Sequence, residues 1–362
     1  MSKQVSIVLS SLRGGGAERA MLAVAEGLAE RGTRVSLVLI RAGSYDYDVP
    51  ESVDLVDIGA PRIYMGLPKL AYYFHDAQPD VILSAAASAN IVTLAAGLLS
   101  RASSRVIVSA QVNITSSSME GGDWRKSLLL PLARLIYPFA DAITTASKGV
   151  RQDLLQATTL PSEKIETVYN PVVTSDVFQR ASETVEHPWF NQGSPPVILA
   201  AGRLSKQKNF SLLLRAFSKV REKREAHLVI LGEGPLRSEL EESARRLDID
   251  THVDLPGFVD NPYKYMAQAS AFVLSSRWEG FGNVLVEAMA CGCPVVSTDC
   301  PSGPAEILEG GAWGKLVPVG EVEPMEEAIC EALEEPKGQA VDRARQFSPD
   351  AIVPKYESIL FG

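Results

Sequence analysis

Cysteine and histidine are scarce in this chain of 362 residues, which has four of each. Cys291, Cys293, Cys300 and Cys330 stand late and at no zinc-ligand spacing, so no structural zinc site is foreseen. No leader precedes Val5, and a reduced, cytoplasmic chain with inert thiols at Cys291 and Cys293 is the simplest expectation. A basic surplus is missing as well, the formal charge being −9. A protein that tracks nucleic-acid phosphates needs excess Lys and Arg, so nucleic acid is excluded as a partner. The deficit is uneven: residues 1–190 hold 17 basic against 19 acidic residues, which leaves room there for a basic patch. Low-complexity tracts are absent, and 46% hydrophobic with 22% charged residues describes a globular chain long enough for two cores.

Long apolar runs are also missing, with one exception. "VILSAAASANIVTLAAGLLS" (81–100) carries no charge. Its Ala/Ser-rich composition after "PD" reads as a buried strand that turns into a helix near Ala89 and stops at Arg101, rather than as a membrane span.

What is present is the punctuation of parallel α/β structure. Short apolar runs at 5–10, 34–40, 80–84, 105–110 and 142–147 alternate with helical patterns such as "AERAMLAVAEGLAERG". After a polar stretch, a second series follows at 197–203, 227–234, 252–258, 271–277 and 294–300. The expected architecture is two doubly wound domains, 1–170 and 197–345, with a linker at 171–196 and a terminal helix over 346–362 that packs back toward the first domain. Ligands of such sheets bind at the carboxyl ends of strands, so an interdomain cleft is expected.

Three clusters fall at strand ends. "RGGGAER" joins the first strand to a helix, and its glycine amides suit an anion, the alternative being a tight turn that needs Gly. It fails the G-x-G-x-x-G dinucleotide pattern, because Arg19 occupies the third place. "AGRLSKQKNF" sets Gly202, Arg203, Lys206 and Lys208 between strand and helix, as a diphosphate clamp or a solvated loop. "SSRWEGFGNVLVEAMACGCP" places Glu279 in a strand-end loop and Glu287 in the next helix. Two carboxylates can each accept both hydroxyls of a sugar diol; otherwise they are a loop charge and a helix-start charge.

Taken in order, "GGGAER", the Arg203/Lys208 pair and the Glu279/Glu287 pair resemble the retaining glycosyltransferases of family 4, which have the GT-B fold: two Rossmann-like domains facing across a cleft. The resemblance covers nearly the whole chain. It implies that Glu279 holds the donor hexose hydroxyls, with Gly280, Phe281, Gly282, Asn283 and Val284 as donor-binding neighbours. It further implies that Glu287 holds the ribose diol, Arg203 and Lys208 the diphosphate, Gly15 and Gly16 the diphosphate from the other domain, and Phe258 and Val259 the base. "NVLVEAMACGCPVVSTDCPSGPAEIL" further resembles the branch that builds bacterial polysaccharide and glycan repeat units on polyprenyl-diphosphate carriers. One departure stands out: many members have a histidine after the fourth strand, where "VSAQVNITSSS" offers Gln111 and Asn113 as acceptor-side candidates. A neutral amide can bond a hydroxyl but cannot shuttle a proton.

The expected activity is transfer of a hexose or N-acetylhexosamine from a nucleoside diphosphate sugar, by family habit UDP-linked, to a glycan or glycolipid acceptor. No cofactor is expected. No metal is expected either, since "DYD" (46–48) and "DID" (248–250) do not lie where a metal-binding D-x-D pair would. Rival readings are a nucleotide-sugar epimerase, a phosphorylase and a non-catalytic sugar-binding protein. "DWRKSLLLPLARLIYPFADA" (123–142) sets Arg125, Lys126 and Arg134 beside apolar residues, as an interfacial helix at an anionic inner membrane face or as a core helix.

Overall fold

The computed structural model describes residues 3–12, 15–41, 43, 47–119 and 128–362. The chain forms two units, Met1–Val172 with Ser348–Gly362, and Val173–Phe347. Among the described residues every strand pairing is parallel.

The first unit holds seven strands: β1 (Gln4–Leu9), β2 (Arg34–Arg41), β3 (Asp54–Ala60), β4 (Val81–Ala85), β5 (Arg105–Ala110), β6 (Ala142–Thr145) and β7 (Ile165–Thr167). They lie in the order β3-β2-β1-β4-β5-β6-β7. The central strands are buried along nearly their whole length because helices cover both faces, which is why they read as continuous apolar runs. Helix Ala87–Ser100 follows β4 and ends at Arg101, which adopts a left-handed φ of 54°. No helix among the described residues is long and apolar enough to cross a membrane.

The second unit holds β8 (Val197–Ala201), β9 (His227–Leu231), β10 (Val253–Gly257), β11 (Ala271–Leu274), β12 (Val295–Thr298) and β13 (Lys315–Val317). Their order, β10-β9-β8-β11-β12-β13, repeats the winding of the first sheet. In each sheet the order reverses once, between β1 and β4 and between β8 and β11, and those crevices are where doubly wound sheets bind ligands.

One stretch differs from the expected division. Of the expected linker 171–196, residues 173–196 are packed into the second unit and are not a free linker. Val173, Val177 and Val185 are buried, Trp189 stacks on His227 with centroids 4.2 Å apart, and Phe190 meets Tyr265 edge-on. A few apolar anchors in a polar stretch suffice to dock it. The helix Pro349–Phe361 belongs to the first unit. Its Val353 lies so close to Gly27 of helix Gly16–Glu30 that an added Cβ there would come within 2.7 Å, and Glu357 pairs with Arg31 at 2.8 Å.

Candidate functional site

At the end of β8 the chain turns through Gly202, whose φ of +150° favours glycine. The stem of Lys208 crosses over this position, so that an added Cβ would lie 3.1 Å from Lys208 Cε. Gly232, after β9, approaches so closely that its own Cβ would overlap the Gly202 carbonyl. Backbone bonds from Gly202 N to Leu231 O (2.9 Å), Leu204 N to Glu233 O (2.9 Å) and Leu236 N to Leu204 O (3.1 Å) tie the two strand-end loops together. The lysine therefore rises from a fixed turn, which limits the entropy lost when it binds.

From the β11 side, Ser275 Oγ donates to Lys208 O (2.8 Å), Arg277 N to Gln207 O (2.8 Å) and Gln207 Nε2 to Trp278 O (3.0 Å). Thr298 Oγ1 donates to Ser276 O at 2.6 Å, and Glu279 N to Pro301 O at 3.1 Å. Across this crevice Lys208 Nζ donates to Glu279 Oε1 at 2.6 Å, and Ser276 Oγ donates to the same oxygen at 2.5 Å. The two charged side chains are only 15% and 8% exposed. Glu279 Oε1 is thus committed, while Oε2 has no hydrogen-bond partner among the described residues. A carboxylate held on one oxygen and open on the other can accept from a sugar hydroxyl without first reorienting. Its charge is also felt by Cys300, whose thiol is pushed up to about 12 by burial and then by Glu279.

The glutamate loop is clamped from the other side. Gly303, at φ +97°, lies against the Phe281 backbone, where a Cβ would overlap the Phe281 carbonyl. Gly282, with φ +100°, starts helix Asn283–Ala290, whose buried Glu287 stands in its second turn.

The other sequence-derived positions separate by unit. In the second, Arg203 and Lys206 are exposed beside Lys208; Gly280, Phe281 and Gly282 are buried; Asn283 and Val284 are half-buried. Phe258, 67% exposed, and half-buried Val259 follow the carboxyl end of β10. In the first unit, Gly15 and Gly16 begin helix Gly16–Glu30 after β1, while Gly14 is outside the described residues. Glu18 folds back over Gly15 so closely that a Cβ there would overlap its carboxylate. The helix start that suited an external anion is faced by the chain's own carboxyl, whose pKa burial pushes up. Gln111 and Asn113 follow β5, the fifth strand rather than the fourth, because β3 had not been foreseen. Both are buried. Gln111 Nε2 donates to Ser109 Oγ at 2.8 Å, and its Oε1 has no partner among the described residues. Arg125 and Lys126 lie outside the described residues, and Arg134 Nε donates to Ala157 O at 2.6 Å. Asp46 of the "DYD" run is outside them too, and no cluster of three metal-ligating side chains occurs among those described. Sequence reasoning missed Ser276, although its place three residues before Glu279 at a strand end was visible, and Gly303, for which nothing local signalled the close approach.

Two doubly wound sheets, the second with a lysine-clamped carboxylate at its switch point, define the architecture of the GT-B glycosyltransferases. The chain belongs to the group 1 glycosyl transferases, whose family model matches residues 171–351, and the Glycosyltransferase Family 4 model matches residues 14–176. It is 39% identical over 222 residues to the N-acetylgalactosamine-N,N'-diacetylbacillosaminyl-diphospho-undecaprenol 4-alpha-N-acetylgalactosaminyltransferase of Campylobacter jejuni, covering 60% of this chain and 59% of that one. The chain spans about three fifths of the length of the first curated relatives it matches. The amylovoran biosynthesis glycosyltransferase AmsD of Erwinia amylovora is 24% identical over 86% of this chain and 85% of its own. Among solved structures, HepE of Anabaena in complex with UDP and glucose superposes with a TM-score of 0.82 at 20% identity, over 99% of both chains.

Proposed function

We propose that this chain is a retaining glycosyltransferase that moves a hexose or N-acetylhexosamine from a uridine diphosphate sugar to a glycan acceptor carried on a polyprenyl diphosphate. The observation that carries the reading is the Lys208–Glu279 pair at the β8/β11 switch point, with Arg203 exposed beside it. Glu279 Oε2 accepts from donor sugar hydroxyls. Lys208 keeps two of its three protons for the diphosphate, and Arg203 adds a second cation where negative charge grows as the leaving group departs. Glu287 takes the ribose diol, and Phe258 and Val259 border the base. The acceptor hydroxyl attacks from the face the diphosphate leaves, which retains configuration without a protein nucleophile.

The activity of the Campylobacter relative supports the acceptor class, and the UDP and glucose bound by HepE support the donor class. We extend the reading to metal independence, the two cations standing where metal-dependent transferases use a divalent ion. The test is incubation with a panel of UDP-sugars and polyprenyl-diphosphate-linked glycans, followed by NMR of the product. A new bond of the donor's own anomeric configuration, formed equally well in excess EDTA, is the expected result. Inversion would remove the same-face mechanism, and loss in EDTA restored by magnesium or manganese would remove the cation clamp.

A further inference from the structure

The first unit carries a groove that the donor chemistry does not use. Its volume is about 800 Å³, and it is lined by Ile63, Tyr64, Leu128 and Leu132 together with Arg41 and Arg62. Arg41 is the last residue of β2 and Arg62 follows β3 by two positions, so the groove opens at the carboxyl ends of strands, the ligand side of a doubly wound sheet. Tyr64 is 48% and Leu128 44% exposed, an apolar surface left uncovered in this structure. No acidic residue lines it among the described residues. Neither guanidinium has a hydrogen bond or ion pair among the described residues, although Arg41 is half-buried. A half-buried guanidinium with no counter-charge is costly unless an anion arrives, and one flanked by aliphatic and aromatic side chains suits an anion attached to a hydrocarbon.

Resting on the function proposed above, we propose that this groove holds the phosphate-proximal part of an isoprenoid carrier, with Arg41 and Arg62 on its phosphates and Ile63, Tyr64, Leu128 and Leu132 along the first isoprene units. The volume falls within the range of small-molecule pockets, roughly 300–1,000 Å³, which admits a few isoprene units and leaves the rest of a long chain outside. Charge complementarity favours this occupant over a second copy of the chain, since each copy would bring its own unpaired cations to the contact.

The test reads binding without glycosyl transfer. Farnesyl diphosphate is titrated into the full chain by calorimetry with UDP at saturation, so that a diphosphate site for the donor is already filled. Binding is expected, with inorganic diphosphate and farnesol each at least about tenfold weaker. Arg62→Gln and Arg41→Gln should each weaken farnesyl diphosphate by about ten- to a hundredfold, the value of a charge-assisted hydrogen bond, and leave farnesol unchanged. Leu128→Asn should weaken both. Absence of binding by the wild-type chain, or equal affinity in Arg62→Gln with its melting temperature intact, would overturn the proposal. So would a Leu128→Asn effect confined to self-association in sedimentation or to vesicle binding. If the groove behaves as expected yet no UDP-sugar is transferred to an isoprenoid-linked glycan, the proposed function fails and the site stands.

Discussion

The Lys208–Glu279 pair gives a stability prediction that does not depend on any substrate. With side chains 15% and 8% exposed, the two charges are held mostly out of water, and each needs the other. Removing one member of a fully buried pair costs about 3–5 kcal/mol, because the survivor is left uncompensated. Here the lysine keeps some solvent, and in Glu279→Gln the amide still accepts from Ser276, so about 2 kcal/mol is expected for Glu279→Gln and for Lys208→Met alike. The double variant leaves no orphaned charge and should lose little more than either single one. The coupling is then about 2 kcal/mol, roughly thirtyfold in an equilibrium constant. Urea unfolding followed by tryptophan fluorescence reads it, since Trp189, Trp278 and Trp313 all lie in the second unit. With a slope of about 2 kcal/mol per molar, each single variant should move the midpoint by about 1 M and the double by nearly the same. Single shifts that simply add would show that the two charges do not sense each other, and the clamp would be refuted.

Three further outcomes follow from the described residues. Burial holds the thiols of Cys291, Cys293 and Cys300 at about 12, so Ellman's reagent at pH 8 should leave them unmodified in the native chain and titrate all four cysteines in urea; rapid native labelling of any of these three would contradict that. His227 is held below its ordinary 6.5 first by burial and then by His252, Arg221 and His187, with Glu225 opposing. The unfolded chain therefore binds its proton first, and stability should fall as pH drops through about 6.5; the melting temperature should decline from pH 7.5 to 5.5, less steeply in His227→Gln. Gly232→Ala forces a methyl onto the Gly202 carbonyl at φ +129° and should cost at least about 2 kcal/mol, or about 4–8 °C in melting temperature; an unchanged melting curve would mean the strand-end loops are not locked together.

The strands that position the site were readable because they are buried on both faces and leave unbroken apolar runs such as "HLVIL" and "AFVL". Of the four sheet edges, only β10 was, at 252–258. β3 alternates exposed and buried residues and includes two aspartates, while β7 and β13 are three residues long, so their pairing partners rather than their composition make them strands. Residues 171–196 read as a linker because their anchors, Val177, Val185 and Trp189, are isolated among polar residues, and only the surface they dock on reveals them. At the site, Glu279 and Lys208 could be named from strand-end position and residue type, but their contact joins positions 71 apart and follows from the β8/β11 reversal. Glu18 turning onto Gly15 was hidden for the opposite reason: the two are so near in sequence that only side-chain direction distinguishes a cap from an open anion site.

The most direct test of the donor site at the β8/β11 reversal is the turnover of Glu279→Gln with the UDP-sugar the wild type uses, measured beside its affinity for UDP alone. Loss of a charged acceptor for sugar hydroxyls predicts a fall in kcat/KM of at least about ten- to a hundredfold, with UDP affinity not weakened, since Lys208 is left without its counter-charge. A folded variant with near wild-type turnover would contradict the assignment and move the sugar away from this carboxylate.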